Sequence, residues 1–138
     1  MGTWLEDAQR AAAHWEHLAD RSPAEYAARW AWAIHTVGAA FGEQGDEPER
    51  LAHFELAASI VRARVDAGVA SDEEQHDLPA HLSNLASVAL QVGELDIARR
   101  ALREAELRWA NLPEHLRDSH PEARFEDHLA HVRARVTG

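Results

Sequence analysis

Apolar residues along the chain recur at helical rather than strand spacing. Trp30, Ile34, Val37 and Phe41 fall at i, i+4, i+7 and i+11, and Phe125, Leu129, Val132 and Val136 repeat that spacing. Leu78, Leu82, Leu85 and Ala89 give a third set. Each set lies on one face of a helix and supplies a stripe for burial. No period-two alternation of strand type persists anywhere. Start signals punctuate the stripes. Thr3 precedes Glu6 by three residues, as do Ser22 and Glu25, Ser71 and Glu74, and Ser119 and Glu122. In this capping-box spacing the hydroxyl accepts from the third amide, and the carboxylate reaches back to the cap amide. Pro23 follows Ser22 at a first helical position, where a missing amide costs little. Stops are expected at "GEQGDEP" (42–48) and "QVGELD" (91–96), built on Gly45 and Gly93. Together these signals predict an all-α chain of about six helices, at 4–20, 23–43, 48–67, 77–92, 95–110 and 121–136. A short extra turn at 72–76 would place Pro79 near the start of the fourth helix. Short connections predict antiparallel hairpins.

Two internal matches suggest repetition. "EHLADRSP" (16–23) and "EHLRDSHP" (114–121) share Glu, His, Leu, Asp and Pro in register, 98 residues apart. Gly45 and Gly93 lie 48 residues apart, so the first spacing is close to two periods of the second. Aligned on the glycines, Ile34, Val37, Gly38 and Phe41 fall over Leu82, Leu85, Ala86 and Ala89. After the turn, Phe54 and Ala57 fall over Leu102 and Ala105. The EHLxDxxP stretch then reads as the end of one long helix and the start of the next, rather than as a histidine site.

In this pattern, best seen at "LSNLASVALQVGELDIARRALREAEL" (82–107), the chain resembles the tetratricopeptide repeat. Leu82, Leu85, Ala86, Gly93, Ala98, Leu102 and Ala105 stand at that family's spacings. Small residues at Gly38/Ala86 and at Ala98 suit close helix approach, and large ones at Phe54/Leu102 fill the gap. The first copy departs at Arg50, where the family has alanine. The period exceeds the family's usual length of about 34 residues, in the manner of elongated bacterial forms. The resemblance implies one domain of stacked helical hairpins over 1–138. A flanking helix (1–22) would precede repeats at 23–67 and 71–111, and a capping helix (119–138) would close the array.

Composition narrows function by exclusion. The formal net charge of −10 opposes binding to nucleic acid or to anionic membranes. All 14 basic residues are arginine. Arg99, Arg100 and Arg103 interleave with acidic residues and read as a salt-bridged face. With no cysteine, disulfides, thiolate metal sites and thiol nucleophiles are excluded. No apolar run approaches a membrane span, and the N-terminus lacks a signal-peptide pattern, so a cytoplasmic location is expected.

Candidate chemistry is sparse. His14/His17 and His128/His131 are i,i+3 pairs able to share a helix face, but no further ligand accompanies either, and no metal or other cofactor is expected. Glu73-x-x-His76 is half of a di-iron motif that needs a second copy. No phosphate-binding loop, dinucleotide fingerprint or nucleophile elbow occurs, and no enzymatic activity is expected.

What remains is a surface. The resemblance implies a groove lined by the first helix of each hairpin, carrying Trp32, His35, Ala39 and Glu43, then Ser83, Asn84, Ser87, Leu90 and Gln91. The alternative for Trp32 is packing on the preceding helix, against Trp15 or Leu18. The basic clamp that would hold a C-terminal carboxylate is missing, since His35, Ala39 and Asn84 occupy its places. The reading is therefore a protein- or peptide-binding scaffold module. The alternatives are a small-molecule or metal-responsive sensor, or an enzyme on the helical core. Two repeats are few for a continuous core; homodimerisation through Trp4, Trp109 or Phe125 is one way to complete it.

Overall fold

The computed structural model describes residues 3–117 and 122–137, the side chains of 122–125 and 137 excepted. Seven helices account for the regular structure of these residues: α1 (Trp4–Arg21), α2 (Pro23–Glu43), α3 (Glu47–Asp66), α4 (Asp72–Gln91), α5 (Leu95–Ala110), α6 (Glu114–Arg117) and α7 (Glu122–Thr137). No strand occurs among the described residues. The chain forms two compact units, residues 1–74 and 75–138, with the boundary inside α4.

In the first unit α2 packs against both α1 and α3. Ala8 and Ala12 of α1, Ile34, Val37 and Ala40 of α2, and Ala57 of α3 form its core, with Leu5, Trp30, Ala33, Phe41 and Ile60 packed around them. So many alanines bring helix axes close, and one position requires glycine. A Cβ placed on Gly38 would lie 2.8 Å from Cδ1 of Phe54 and 2.9 Å from Cβ of His53, closer than side chains approach one another.

In the second unit, buried side chains come from Leu78, Leu82, Leu85, Ala86, Val88 and Ala89 of α4 and from Ala98, Ala101, Leu102 and Ala105 of α5. α7 packs on α5 and buries Leu129, Val132 and Val136. Trp109, Leu112 and Leu116 make a further apolar cluster where α5 gives way to α6.

Two of the four expected starts are seen. The Glu6 amide donates to Thr3 Oγ1 at 3.1 Å. Ser71 and Glu74 form the full reciprocal box: the Glu74 amide donates to Ser71 Oγ at 3.1 Å, and the Ser71 amide to Glu74 Oε1 at 3.0 Å. Ser22 departs from expectation. It begins α2 with its carbonyl, which accepts from Glu25 and Tyr26 at 3.1 Å, while its hydroxyl makes no cap. Asp46 is the cap that pattern reading overlooked. It accepts from the Glu49 amide at 3.3 Å and starts α3 at Glu47. The Ser119–Glu122 pair lies outside the described residues.

The two glycine turns share one geometry. Gly45 and Gly93 have φ of 81° and 82°, the left-handed region that side chains resist. In the first turn the Asp46 amide donates to the Phe41 carbonyl at 3.0 Å, and in the second the Glu94 amide donates to the Ala89 carbonyl at 2.8 Å. Donors and acceptors are thus 48 residues apart, as the sequence offset predicts. The departure at Arg50 also has a structural reason. Arg50 pairs with Glu47 at 3.1 Å, and its side chain lies against Gly42, in the space a Cβ there would fill. At the matching positions of the second copy the sizes are exchanged, Leu90 for Gly42 and Ala98 for Arg50.

Two expectations are corrected. α4 is a single helix from Asp72, because the Ser71–Glu74 box starts it there, and Pro79 therefore sits in its interior. In the second EHLxDxxP stretch, Glu114–Arg117 forms a separate short helix instead of ending a long one. Pro113 cannot continue α5, which ends with Asn111 as its cap, and Leu116 turns back onto Trp109. Residues 118–121 of that stretch lie outside the described residues. The first copy behaves as expected: α1 ends at Arg21, and α2 begins at Pro23.

Candidate functional site

The first unit carries an open hollow of about 330 Å³ between α1 and α2. Ala8, Ala11 and Trp15 line it from α1, and Arg29, Trp32, Ala33 and Thr36 from α2. The sequence dictates this arrangement. Ala8, Ala11 and Trp15 follow at i, i+3 and i+7, and Arg29, Trp32, Ala33 and Thr36 at i, i+3, i+4 and i+7, so each set shares one helix face. Alanines keep the floor low, and the two indoles stand as walls. The Arg29 guanidinium lies over the Trp15 ring, 5.5 Å from its centroid. Such a contact contributes roughly 0.5–1 kcal/mol at an exposed site. His14 and Tyr26 pack on Trp15 with ring centroids at 5.4 and 6.2 Å, which limits its rotamers. The Thr36 hydroxyl donates to the Trp32 carbonyl at 3.0 Å.

Trp32 is half-buried and lines the hollow together with Trp15. The hollow leaves open space between α1 and α2 at this point. His35 points elsewhere. Its ring stacks on Phe54 of α3 at 4.2 Å between centroids and meets Trp32 edge-on at 5.2 Å. Arg50 lies over the same Phe54 ring at 5.9 Å. Ala39 is half-buried, and Glu43 is exposed at the end of α2.

The remaining expected groove residues belong to the second unit. Ser83 is 2% exposed, so its side chain is not part of any surface there, which corrects its assignment to a groove. α4 buries side chains beyond its leucine stripe, Pro79 and His81 as well as Ser83. Asn84, Ser87 and Leu90 are half-buried, and Gln91 is exposed. Of the residues considered for a homodimer contact, Trp109 is 7% exposed and already packed against Leu112 and Leu116, which removes it as a surface anchor. Trp4 is 47% exposed. The Phe125 side chain lies outside the described residues.

His14, His17 and His131 are exposed and His128 is half-buried. Among the described residues no group of three or more histidine, aspartate or glutamate side chains is placed to hold a metal ion. No helix of the described residues is long and apolar enough to cross a membrane.

Sequence reading missed two features. One is the Arg29–Trp15 contact; the residues are 14 positions apart on different helices, and no local spacing signals it. The other is a buried ion pair. Glu74, 1% exposed, takes Arg64 Nε at 2.5 Å and Nη2 at 3.2 Å, while Arg64 Nη2 also donates to the Val69 carbonyl at 3.1 Å. The capping-box signal found Glu74 but could not show that its carboxylate also serves an arginine on α3.

Burial, and after it the Arg50 charge, push the His35 pKa below the usual histidine value. A histidine that is harder to protonate folded than unfolded favours unfolding once protons are available. Its contribution is present above the unfolded value of about 6.5. It is lost as pH falls from there through the lowered folded value. Thermal melts should therefore show wild type losing more stability between pH 7.5 and 5 than His35→Phe, which keeps a ring against Phe54. Equal losses would mean that His35 does not titrate against folding.

No protein-family model, curated protein or solved structure matches the chain.

Proposed function

We propose that the protein is a binding module of tetratricopeptide-like helical hairpins, and that it captures a peptide or a segment of a partner protein. The observation that carries this reading is the hollow of the first unit. It is an open space with two tryptophan walls between helices that are otherwise closely packed. Tryptophan is the residue most enriched where binding energy concentrates, because it offers a large rigid apolar area with little entropy to lose. The matching glycine turns and the Gly42/Arg50 against Leu90/Ala98 exchange support the repeat half of the reading. Both look like one hairpin design used twice with compensating side-chain sizes. The proposed anchor differs from the sequence-based groove in direction. It uses the α1-facing side of Trp32, with Trp15 as its partner, and sets His35 aside as a packing residue.

A displayed peptide library selected on the purified chain tests the proposal. Enriched peptides should carry an apolar anchor residue. Trp32→Ala should weaken them at least tenfold, about 1.4 kcal/mol, with an unchanged circular dichroism spectrum. Glu43→Arg, at the end of α2 and outside the hollow, should leave them nearly unaffected. Enriched peptides that bind Trp32→Ala as tightly as wild type would refute the anchor.

A further inference from the structure

We propose that the hollow selects a peptide segment in which an apolar side chain is flanked by an internal aspartate or glutamate, with Arg29 as the residue that reads the carboxylate. The inference rests on the binding reading above and adds the ligand's chemistry to it. Its basis is the charge pattern of the lining. The chain holds 24 acidic residues, yet none of them lines the hollow. The single charged group there is Arg29. Its guanidinium is positioned by the Trp15 ring, and among the described residues no carboxylate is paired with it.

A guanidinium carries its N–H donors as a rigid planar fork. They remain available for the two-pronged hydrogen bonding that a carboxylate accepts. The Thr36 hydroxyl hydrogen is committed to the Trp32 carbonyl, so Arg29 is the strong donor at the rim. A cationic ligand would meet Arg29 with no carboxylate to offset it. A purely apolar ligand would leave the guanidinium's hydrogen-bonding edge unused. An apolar residue beside an acidic one satisfies the alanine floor, the indole walls and the charge together.

The net charge of −10 opposes an acidic ligand at long range. At physiological salt, charges beyond about 8 Å are largely screened, so the local cation governs the bound state. The hollow of about 330 Å³ is at the small end of ligand sites and suits one side chain, not a whole cofactor.

The test uses three synthetic peptides with blocked N-termini and the full-length chain. The first is an amidated tetrapeptide with leucine next to glutamate, the second its glutamine counterpart. The third ends in leucine with a free C-terminal carboxylate. Binding is followed through the indole N–H signals of Trp15 and Trp32. The glutamate peptide should bind several-fold more tightly than the glutamine peptide. That preference should vanish in Arg29→Gln and shrink in 0.5 M salt. Equal affinity for the glutamate and glutamine peptides would overturn the charge-reading role of Arg29 while leaving the hollow as an anchor. Preference for the free C-terminus would overturn the internal-acid assignment. No movement of either indole with any peptide would instead refute the binding reading itself.

Discussion

Glu74→Ala is expected to cost roughly 3–5 kcal/mol of folding stability, the range seen when one member of a buried ion pair is removed. The carboxylate has three partners inside the first unit. Two are the Nε and Nη2 of Arg64, and the third is the backbone amide of Ser71. Its truncation leaves a half-buried guanidinium in the last turns of α3 without its counter-charge. It also removes one half of the cap that starts α4. The cost comes mainly from the orphaned charge, not from the intrinsic strength of the pair. A second variant separates these causes. Arg64→Met with Glu74→Leu removes both charges while keeping apolar volume, and should recover most of the loss. Urea unfolding curves measure both. A loss under 1 kcal/mol for Glu74→Ala would mean that the pair is hydrated in solution and does not secure the α3–α4 corner.

The second large effect is expected at Gly38. Gly38→Val should destabilise by about 1–3 kcal/mol, toward the upper end, because overpacking forces neighbours off their rotamers. One of the obstructing atoms is the Cβ of His53, which cannot move without the α3 backbone. Even Gly38→Ala, which would gain about 0.5–1 kcal/mol of helix preference in open space, should be a net loss here. Gly42 provides the contrast. The atoms in its way belong to the Arg50 side chain, from Cγ to Nε. Gly42→Leu alone should destabilise by displacing Arg50. Gly42→Leu combined with Arg50→Ala should restore stability, since it writes the second turn's residues, Leu90 and Ala98, into the first. Thermal and urea melts of wild type, Gly42→Leu, Arg50→Ala and the double variant decide. Additive losses in the double variant would contradict the view that the two turns are one design with exchanged sizes.

Much of the fold was readable because the signals that define it are local. A cap, an apolar stripe and a left-handed glycine each act within a few residues. The boundaries of α1, α2, α3, α5 and α7 therefore fall within one residue of where pattern and capping put them. Pro79 misled because its local penalty for a helix interior is outweighed by the strong start at Ser71 and by the burial of Leu78 and Leu82 on the same helix. α6 went unseen because four residues carry no periodicity. Glu114–Arg117 is held by Leu116 against Trp109, a contact that no spacing rule contains.

The candidate site was half legible. Trp32 stands out in the sequence as a tryptophan off the core stripe of its helix. Its direction depends on how α1 lies against α2, which is a packing result. Ser83 shows the same limit from the other side, because helical phase alone did not reveal that its side chain is covered. Arg29 drew no attention in a chain with 14 arginines. Only the juxtaposition with Trp15 sets it apart.

The claim that the Trp15–Trp32 hollow is a binding site is tested most directly by one nitrogen–proton correlation spectrum, recorded during titration with a library-selected peptide. The chain has five tryptophans, and their indole N–H signals report separately on the hollow and on the rest of the fold. Trp30 Nε1 is buried, and Trp109 is packed in its own cluster, so both serve as internal controls. The hollow as anchor predicts that the Trp15 and Trp32 signals shift progressively to saturation while those of Trp30 and Trp109 stay in place. A peptide that binds while Trp15 and Trp32 remain unmoved would contradict it.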